Sequence, residues 1–366
     1  MDWIKKAGWD IKDEDVKKQN VLILAPIQYG VQDMEDFQEY FTPKIFEGTR
    51  QDFIRRCKKG GKYDGYTAMI WNSKVIGPLD KELVDAMPSS MRIIALRAAG
   101  YDGIDIDACA ARGITVTNTP GVVSDATADT AMFLILGCLR RFSEGQTLLR
   151  QGKFMERLPR ANDLAAKTIG IIGLGGIGKA IAKRANAFGM LVQYYNRRRL
   201  DIRDEAKWNV RYAAYDTLLR ESDVIVVCVP LTESTRHLLS TAQFEKMKDG
   251  VVVINISRGP TIDEAALVAA LDSGKVASAG LDVFEFEPRV SEGLLSHPRC
   301  TLVPHMGTHT VESTKDMENL AMRNIKKFLL HGEAISPVNK VAPASSSAGD
   351  QITDTIDINQ LNITLS

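Results

Sequence analysis

Short apolar runs without polar alternation recur along this chain and are separated by helical stretches. Before residue 120 they are Val21–Ala25, Thr67–Trp71, Ile93–Leu96 and Ile114–Asn118. After residue 165 they are Ile169–Gly173, Leu191–Asn196, Val224–Val229, Val251–Ser257, Ala277–Phe284 and Cys300–Val303. Continuous apolar strands are covered on both faces, and helices between them supply that cover, so each series predicts a parallel sheet in an α/β lobe. The stretch Ala126–Arg141 predicts a long helix crossing from the first lobe to the second. The expected division is a first lobe over residues 1–125, completed by 310–340, and a second over 126–309. From Val341 onward the chain reads Val-Ala-Pro-Ala-Ser-Ser-Ser-Ala-Gly and carries no core-forming pattern, which predicts a disordered tail over 341–366.

Composition changes this picture little. A chain of 366 residues has room for two sizeable cores. Lys plus Arg and Asp plus Glu both total 46, so no net field recruits nucleic acid or an anionic membrane. No apolar run approaches the roughly 20 residues that span a bilayer. Met1-Asp-Trp-Ile-Lys-Lys lacks the apolar core of a signal peptide. Five scattered cysteines (Cys57, Cys109, Cys138, Cys228, Cys300) read as reduced core residues of a cytoplasmic protein, none in metal-ligand spacing.

The strongest local signal is Thr168-Ile-Gly-Ile-Ile-Gly173-Leu-Gly175-Gly176-Ile177-Gly178, an apolar strand running through glycines into an alanine-rich helix expected over Lys179–Phe188. In that context G-x-G-x-x-G is a dinucleotide fingerprint. Gly173 serves the tight turn, Gly175 the approach of backbone to pyrophosphate, Gly178 the packing of helix on strand, and the free N–H groups at the helix start hold phosphate charge. The fingerprint predicts a nicotinamide or flavin cofactor. The second strand ends 18 residues after Gly178 at Asn196, where an NAD enzyme usually has Asp or Glu for the ribose hydroxyls. Here Asn196 is followed by Arg197, Arg198 and Arg199. Guanidinium groups pair with a 2′-phosphate that a carboxylate would repel, so NADP(H) is expected over NAD(H).

Three segments at the carboxyl ends of late strands carry groups suited to proton and charge handling: Asn255-Ile-Ser-Arg258-Gly, Asp282-Val-Phe-Glu-Phe-Glu287-Pro and Pro304-His305-Met-Gly-Thr. Ligands of open α/β sheets bind at those ends, so all three can face one cleft. Arg258 can hold a carboxylate or polarise a carbonyl, His305 can donate and retake a proton, and Glu287 can orient the imidazole. His309 makes an H-x-x-x-H pattern with His305, but no Glu follows the first histidine and Gly307 opposes a helix, so no metal site is expected.

Through these motifs the chain resembles the D-isomer-specific 2-hydroxyacid dehydrogenases. The fingerprint, Asn255-x-Ser-Arg-Gly, Glu287-Pro and Pro304-His305 carry the resemblance, with 29 residues from Arg258 to Glu287 and 18 from Glu287 to His305. Ala98-Ala99-Gly100-Tyr-Asp102-Gly-Ile-Asp105, Asn118-Thr-Pro-Gly121 and Val229-Pro230-Leu-Thr232 match as well. The resemblance runs from about residue 20 to 340. Within the family it is nearest to fungal D-mandelate dehydrogenases, through Glu285-Phe-Glu287-Pro-x-Val-Ser291 and Asp129, and to glyoxylate or hydroxypyruvate reductases, through Asn196-Arg-Arg.

The resemblance implies a flavodoxin-like substrate lobe and a Rossmann cofactor lobe, and reversible reduction of 2-oxo acids to D-2-hydroxy acids. It implies catalytic Arg258, Glu287 and His305, with the N–H groups of Ala99 and Gly100 on the substrate carboxylate. It adds Thr127, Val229, Pro230, Thr235, Ile256 and Asp282 to the cofactor site, and a homodimer as the assembly. Trp71 and Asn72, at the end of a first-lobe strand, are candidate substrate-pocket residues. Two other activities share this fold. A dinucleotide-sensing corepressor scaffold keeps the catalytic trio but is expected to carry an acid at Asn196 and a Trp shortly after the histidine. A formate enzyme has Gln at Glu287.

Overall fold

The computed structural model describes residues 18–341. Residues 1–17 and 342–366, and so nearly all of the segment read as a tail, lie outside the described residues. The first sheet holds five parallel strands: β1 (Gln19–Ile23), β2 (Phe41–Ile45), β3 (Ala68–Trp71), β4 (Ile93–Leu96) and β5 (Thr115–Thr117), in the order β2-β1-β3-β4-β5. That is the flavodoxin-like arrangement. The second holds β6 (Thr168–Ile172), β7 (Leu191–Tyr195), β8 (Arg211–Tyr212), β9 (Val224–Val227), β10 (Val251–Asn255), β11 (Val276–Leu281) and β12 (Cys300–Leu302). Their order β12-β11-β10-β9-β6-β7-β8, parallel throughout, is that of a doubly wound Rossmann sheet.

Each sheet is buried on both faces. Ile169, Ile171, Val224, Val226, Val252 and Ile254 pack with the helix over Ser124–Leu139 on one side of the second sheet, while Ile225, Val227, Val251, Val253 and Leu281 pack with Leu218, Phe244 and Leu267 on the other. The crossing helix begins two residues earlier than its apolar pattern suggests and ends two earlier. Its Asp125 and Asp129 pair with Arg184 of the fingerprint helix, at 3.0 and 2.6 Å. The helix Val311–His331 returns to the first sheet, where Ala321, Met322 and Ile325 join Val21, Ile23, Ile70 and Ile93. Glu318 of that helix is fully buried: it accepts from the N–H groups of Gln28, Tyr29 and Gly30 and pairs with Arg97 at 3.0 Å. The chain then runs beside β5, where the Asn339 side chain accepts from Val116 N–H.

Two strands were not visible as apolar runs. β2 contains Pro43 and lies at an edge, where a missing N–H is tolerated and only one face is covered. β8 has two residues. Several apolar runs also extend beyond the ladder. Ile256, Val283 and Phe284 are buried after their strands have ended, because they pack beneath the loops at the carboxyl ends. Among the described residues no helix is long and apolar enough to cross a membrane, and no group of three His, Cys, Asp or Glu side chains is placed to hold a metal ion. The segment Met306–His309 is a turn. All five cysteines are free, and burial pushes each thiol up, to about 11 for Cys138 and about 12 for the others.

Candidate active site

The order of the second sheet reverses between β6 and β9, so a crevice opens at their carboxyl ends. Gly173 follows β6 there with φ of 102°, and a Cβ on it would run into the carbonyl of Cys228 after β9. Only glycine combines that dihedral with that approach. A side chain at Gly175 would meet no protein atom, so this glycine faces the open side of the loop. The helix starts at Gly176, three residues earlier than expected, and takes the end of the fingerprint into its first turn. That turn has neither a side-chain cap nor an acidic residue, so its N–H groups and dipole remain available to phosphate. The residues fit a dinucleotide.

Asn196 serves this loop directly: its Oδ1 accepts from Leu174 N–H at 2.7 Å, linking the end of β7 to the glycine turn. Arg197 and Arg198 are exposed and make no ion pair with the described residues. Arg199 does not belong with them. It binds both oxygens of Glu205 at 2.8 Å and lies over the Tyr212 ring, and Tyr194 donates to the same carboxylate. The basic cluster therefore has two free members, not three.

The loop after β4 carries the Ala98-Ala-Gly100 segment. Thr119 N–H donates to the Ala98 carbonyl and the Asn118 side chain to that of Ala99, whereas the N–H groups of Ala99 and Gly100 have no acceptor among the described residues. Arg258 reaches this loop from the second lobe. Asn255 Nδ2 and Thr261 Oγ1 both donate to the Arg258 carbonyl, and Asn255 Oδ1 holds Ser257, so the turn after β10 is locked from within. A Cβ on Gly100 would overlap the guanidinium, so glycine is needed for this approach. A carboxylate placed here meets two backbone donors and a cation.

The third segment is held by Asp282. Its carbonyl accepts from His305 N–H, and its carboxylate from Met306 and Gly307 N–H at 2.6 and 3.0 Å. These bonds keep His305 at φ of 49°, a left-handed conformation unusual for a side-chain-bearing residue. Asp282, a candidate cofactor residue, thus also holds the histidine turn. Burial raises its pKa even against those donors. His305 Nδ1 lies 2.7 Å from Glu287 Oε2, and Phe284 N–H donates to Glu287 Oε1. Burial pushes the Glu287 carboxyl up, but His305, the Phe284 N–H and the Arg258 charge outweigh it and leave the pKa below the ordinary glutamate value. An ionised carboxylate only accepts, so the proton sits on Nδ1, and Nε2, with no hydrogen-bond partner among the described residues, is left for proton exchange.

The remaining predicted residues fall into two groups. Val229 and Pro230 follow β9 at the crevice, Ile256 lies buried beneath the Arg258 turn, and Thr127 is buried close to Gly307. Thr235 closes a short turn, accepting from Thr232 N–H and donating to the Pro230 carbonyl. Asn72 caps the short helix Ser73–Ile76 through Lys74 N–H, and Trp71 packs in the first-lobe core with its ring edge near Gly103. Neither makes a hydrogen bond to Arg258 among the described residues. The sequence reading gave no role to Asp102, which accepts from Arg258 Nε at 2.9 Å, or to Asn118. Both stand in matching motifs, but neither the contact of Asp102 across the lobes nor that of Asn118 with a loop 19 residues away has a local signature.

Fold and site together define a nicotinamide-dinucleotide-dependent oxidoreductase. Residues 132–307 match the family "D-isomer specific 2-hydroxyacid dehydrogenase, NAD binding domain". The chain is 43% identical over 323 residues to 4-methyl-2-oxopentanoate reductase A of Aspergillus oryzae, covering 87% of this chain and 97% of that protein. It superposes on a glyoxylate reductase from Paecilomyes thermophila with a TM-score of 0.84 at 42% identity, covering 88% of this chain and 99% of the other. The holo form of Rhodotorula graminis D-mandelate dehydrogenase gives a TM-score of 0.85 at 33% identity, covering 89% and 99%. The chain belongs to the D-isomer-specific 2-hydroxyacid dehydrogenases.

Proposed function

We propose that this enzyme reduces small 2-oxo acids to D-2-hydroxy acids, with NADPH preferred to NADH. The observation that carries the reading is the pairing of two unsatisfied backbone donors, Ala99 and Gly100, with Arg258 in one cleft that also holds the His305–Glu287 pair. The substrate carboxylate rests on those N–H groups and on Arg258. His305 Nε2 donates a proton to the carbonyl oxygen as charge develops on it, and Glu287 stabilises the imidazolium and fixes the ring. In the reverse direction Nε2 takes the proton back. The dinucleotide supplies or accepts the hydride when bound; the Gly173–Gly178 turn would hold its pyrophosphate, and Arg197 and Arg198 a 2′-phosphate. The absence of an acid at Asn196 supports NADPH.

Names of relatives point to glyoxylate, 4-methyl-2-oxopentanoate and mandelate as substrates of those proteins. The test is initial-rate oxidation of NADPH and of NADH with glyoxylate, hydroxypyruvate, phenylglyoxylate and 4-methyl-2-oxopentanoate. Turnover favouring NADPH is expected. Cofactor binding without turnover on any of them would return the chain to the dinucleotide-sensing reading. We further take the lobes as residues up to 125 with 310–340, and 126–309. We propose a homodimer, supported by the exposed Phe142, Leu149, Phe154 and Met155 on and just after the helix Phe142–Arg150. Light scattering that gives the 40.4 kDa monomer would refute it.

A further inference from the structure

We propose that Asp102 is a positioning residue for Arg258: it fixes the guanidinium across the cleft so that one edge is turned to the substrate carboxylate. Asp102 stands in a tight turn closed by Ile104 N–H on the Tyr101 carbonyl, and the turn is tied to the first lobe by Leu79 N–H on the Gly103 carbonyl. The backbone that carries the Asp102 carboxylate is therefore fixed within the first lobe. The guanidinium is then accounted for nitrogen by nitrogen. Nε donates to Asp102 Oδ1 at 2.9 Å and Nη1 to the Ser257 carbonyl at 2.8 Å. Nη2 has no acceptor among the described residues and lies against Gly100, whose own N–H is unsatisfied.

Arginine has a long, freely rotating stem, and a planar fork that must be presented edge-on to bind a carboxylate. Two acceptors, one from each lobe, define that plane. The Asp102 and Arg258 side chains are each 29% exposed, so the pair is partly screened and adds little to stability. Its effect falls on orientation instead. Because Asp102 belongs to the first lobe and Arg258 to the second, the correct presentation of Arg258 also depends on the two lobes standing together.

The test compares Asp102→Ala and Asp102→Asn with the wild-type chain. The measurements are KM for the best 2-oxo acid, calorimetric binding of oxamate (an unreactive 2-oxo acid analogue) to NADPH-loaded protein, the Kd for NADPH, and Tm. In Asp102→Ala, KM and the oxamate Kd should each rise about tenfold or more, the scale of one lost charge-assisted hydrogen bond. Asp102→Asn keeps an Oδ1 acceptor and should stay within about threefold of wild type. NADPH affinity and Tm should be unchanged in both variants. The inference is overturned by unchanged oxamate binding in Asp102→Ala, or by tighter binding, which would make Asp102 a competitor of substrate. Equal losses in the two variants, or a parallel fall in Tm and NADPH affinity, would also overturn it. It rests on the 2-oxo acid reading, and the two can fail separately. A wild-type protein inactive on every 2-oxo acid removes that reading, whereas an active wild type with an unaffected Asp102→Ala removes only the role of Asp102.

Discussion

His305 Nδ1 and Glu287 Oε2 lie 2.7 Å apart, and the two residues reach one another from separate loops that Asp282 and Phe284 hold in place. The pair needs two conditions: a strained histidine backbone and a carboxylate kept ionised.

His305→Ala should lower kcat by about 10²-fold or more, the usual scale for losing a general acid, with NADPH affinity nearly unchanged. Steady-state kinetics with fluorescence titration of the cofactor check this. A rate close to wild type would reject the histidine as proton donor.

The depressed Glu287 pKa has a definite sign in pH-dependent stability. A carboxyl whose folded pKa lies below its unfolded value of about 4.3 stabilises the fold fully above that pH, and the contribution disappears as pH falls through the folded value. The contribution of the Glu287 carboxylate to the Tm difference between wild type and Glu287→Gln should therefore shrink as pH falls below about 5. A pH-independent difference would show that ionisation plays no part.

Arg197→Ala combined with Arg198→Ala should weaken NADPH much more than NADH. Arg199→Ala should instead leave that preference intact and lower Tm, because it removes the partner of Glu205. Isothermal titration with both cofactors separates these outcomes.

Asn196→Asp keeps the oxygen that accepts from Leu174 N–H and adds a negative charge beside the glycine turn. The glycine turn should survive, while the ratio of NADH to NADPH affinity should move toward NADH by about tenfold or more. A loss of both cofactors would show that the turn had been damaged.

Glu318→Ala removes the fully buried acceptor of three backbone N–H groups and the partner of the mostly buried Arg97. Destabilisation of about 3–5 kcal/mol is expected from chemical denaturation, since the arginine is left uncompensated. A change below about 1 kcal/mol would mean that water replaces the carboxylate.

Read alone, the sequence was enough for the α/β architecture and the fingerprint turn, and it singled out Arg258, Glu287 and His305 as candidates at strand ends. These depend on local patterns: apolar runs that must be buried on both faces, glycines at one turn, and reactive side chains just beyond strand ends. It overran β9, β10 and β11, because an apolar residue packed beneath a loop looks the same as one in a ladder. It missed β2, because an edge strand with Pro43 has one buried face. Three arginines in a row looked equivalent until Glu205, on the next helix, engaged Arg199. The bonds from the Met306 and Gly307 N–H groups to the Asp282 carboxylate had no local signature either. The pairing of Asp102 with Arg258 spans 156 residues and two lobes. Composition and spacing report what a residue can do chemically. Which partner it meets is decided by packing between elements far apart in the chain, and that appears only when the sheets and helices are assembled.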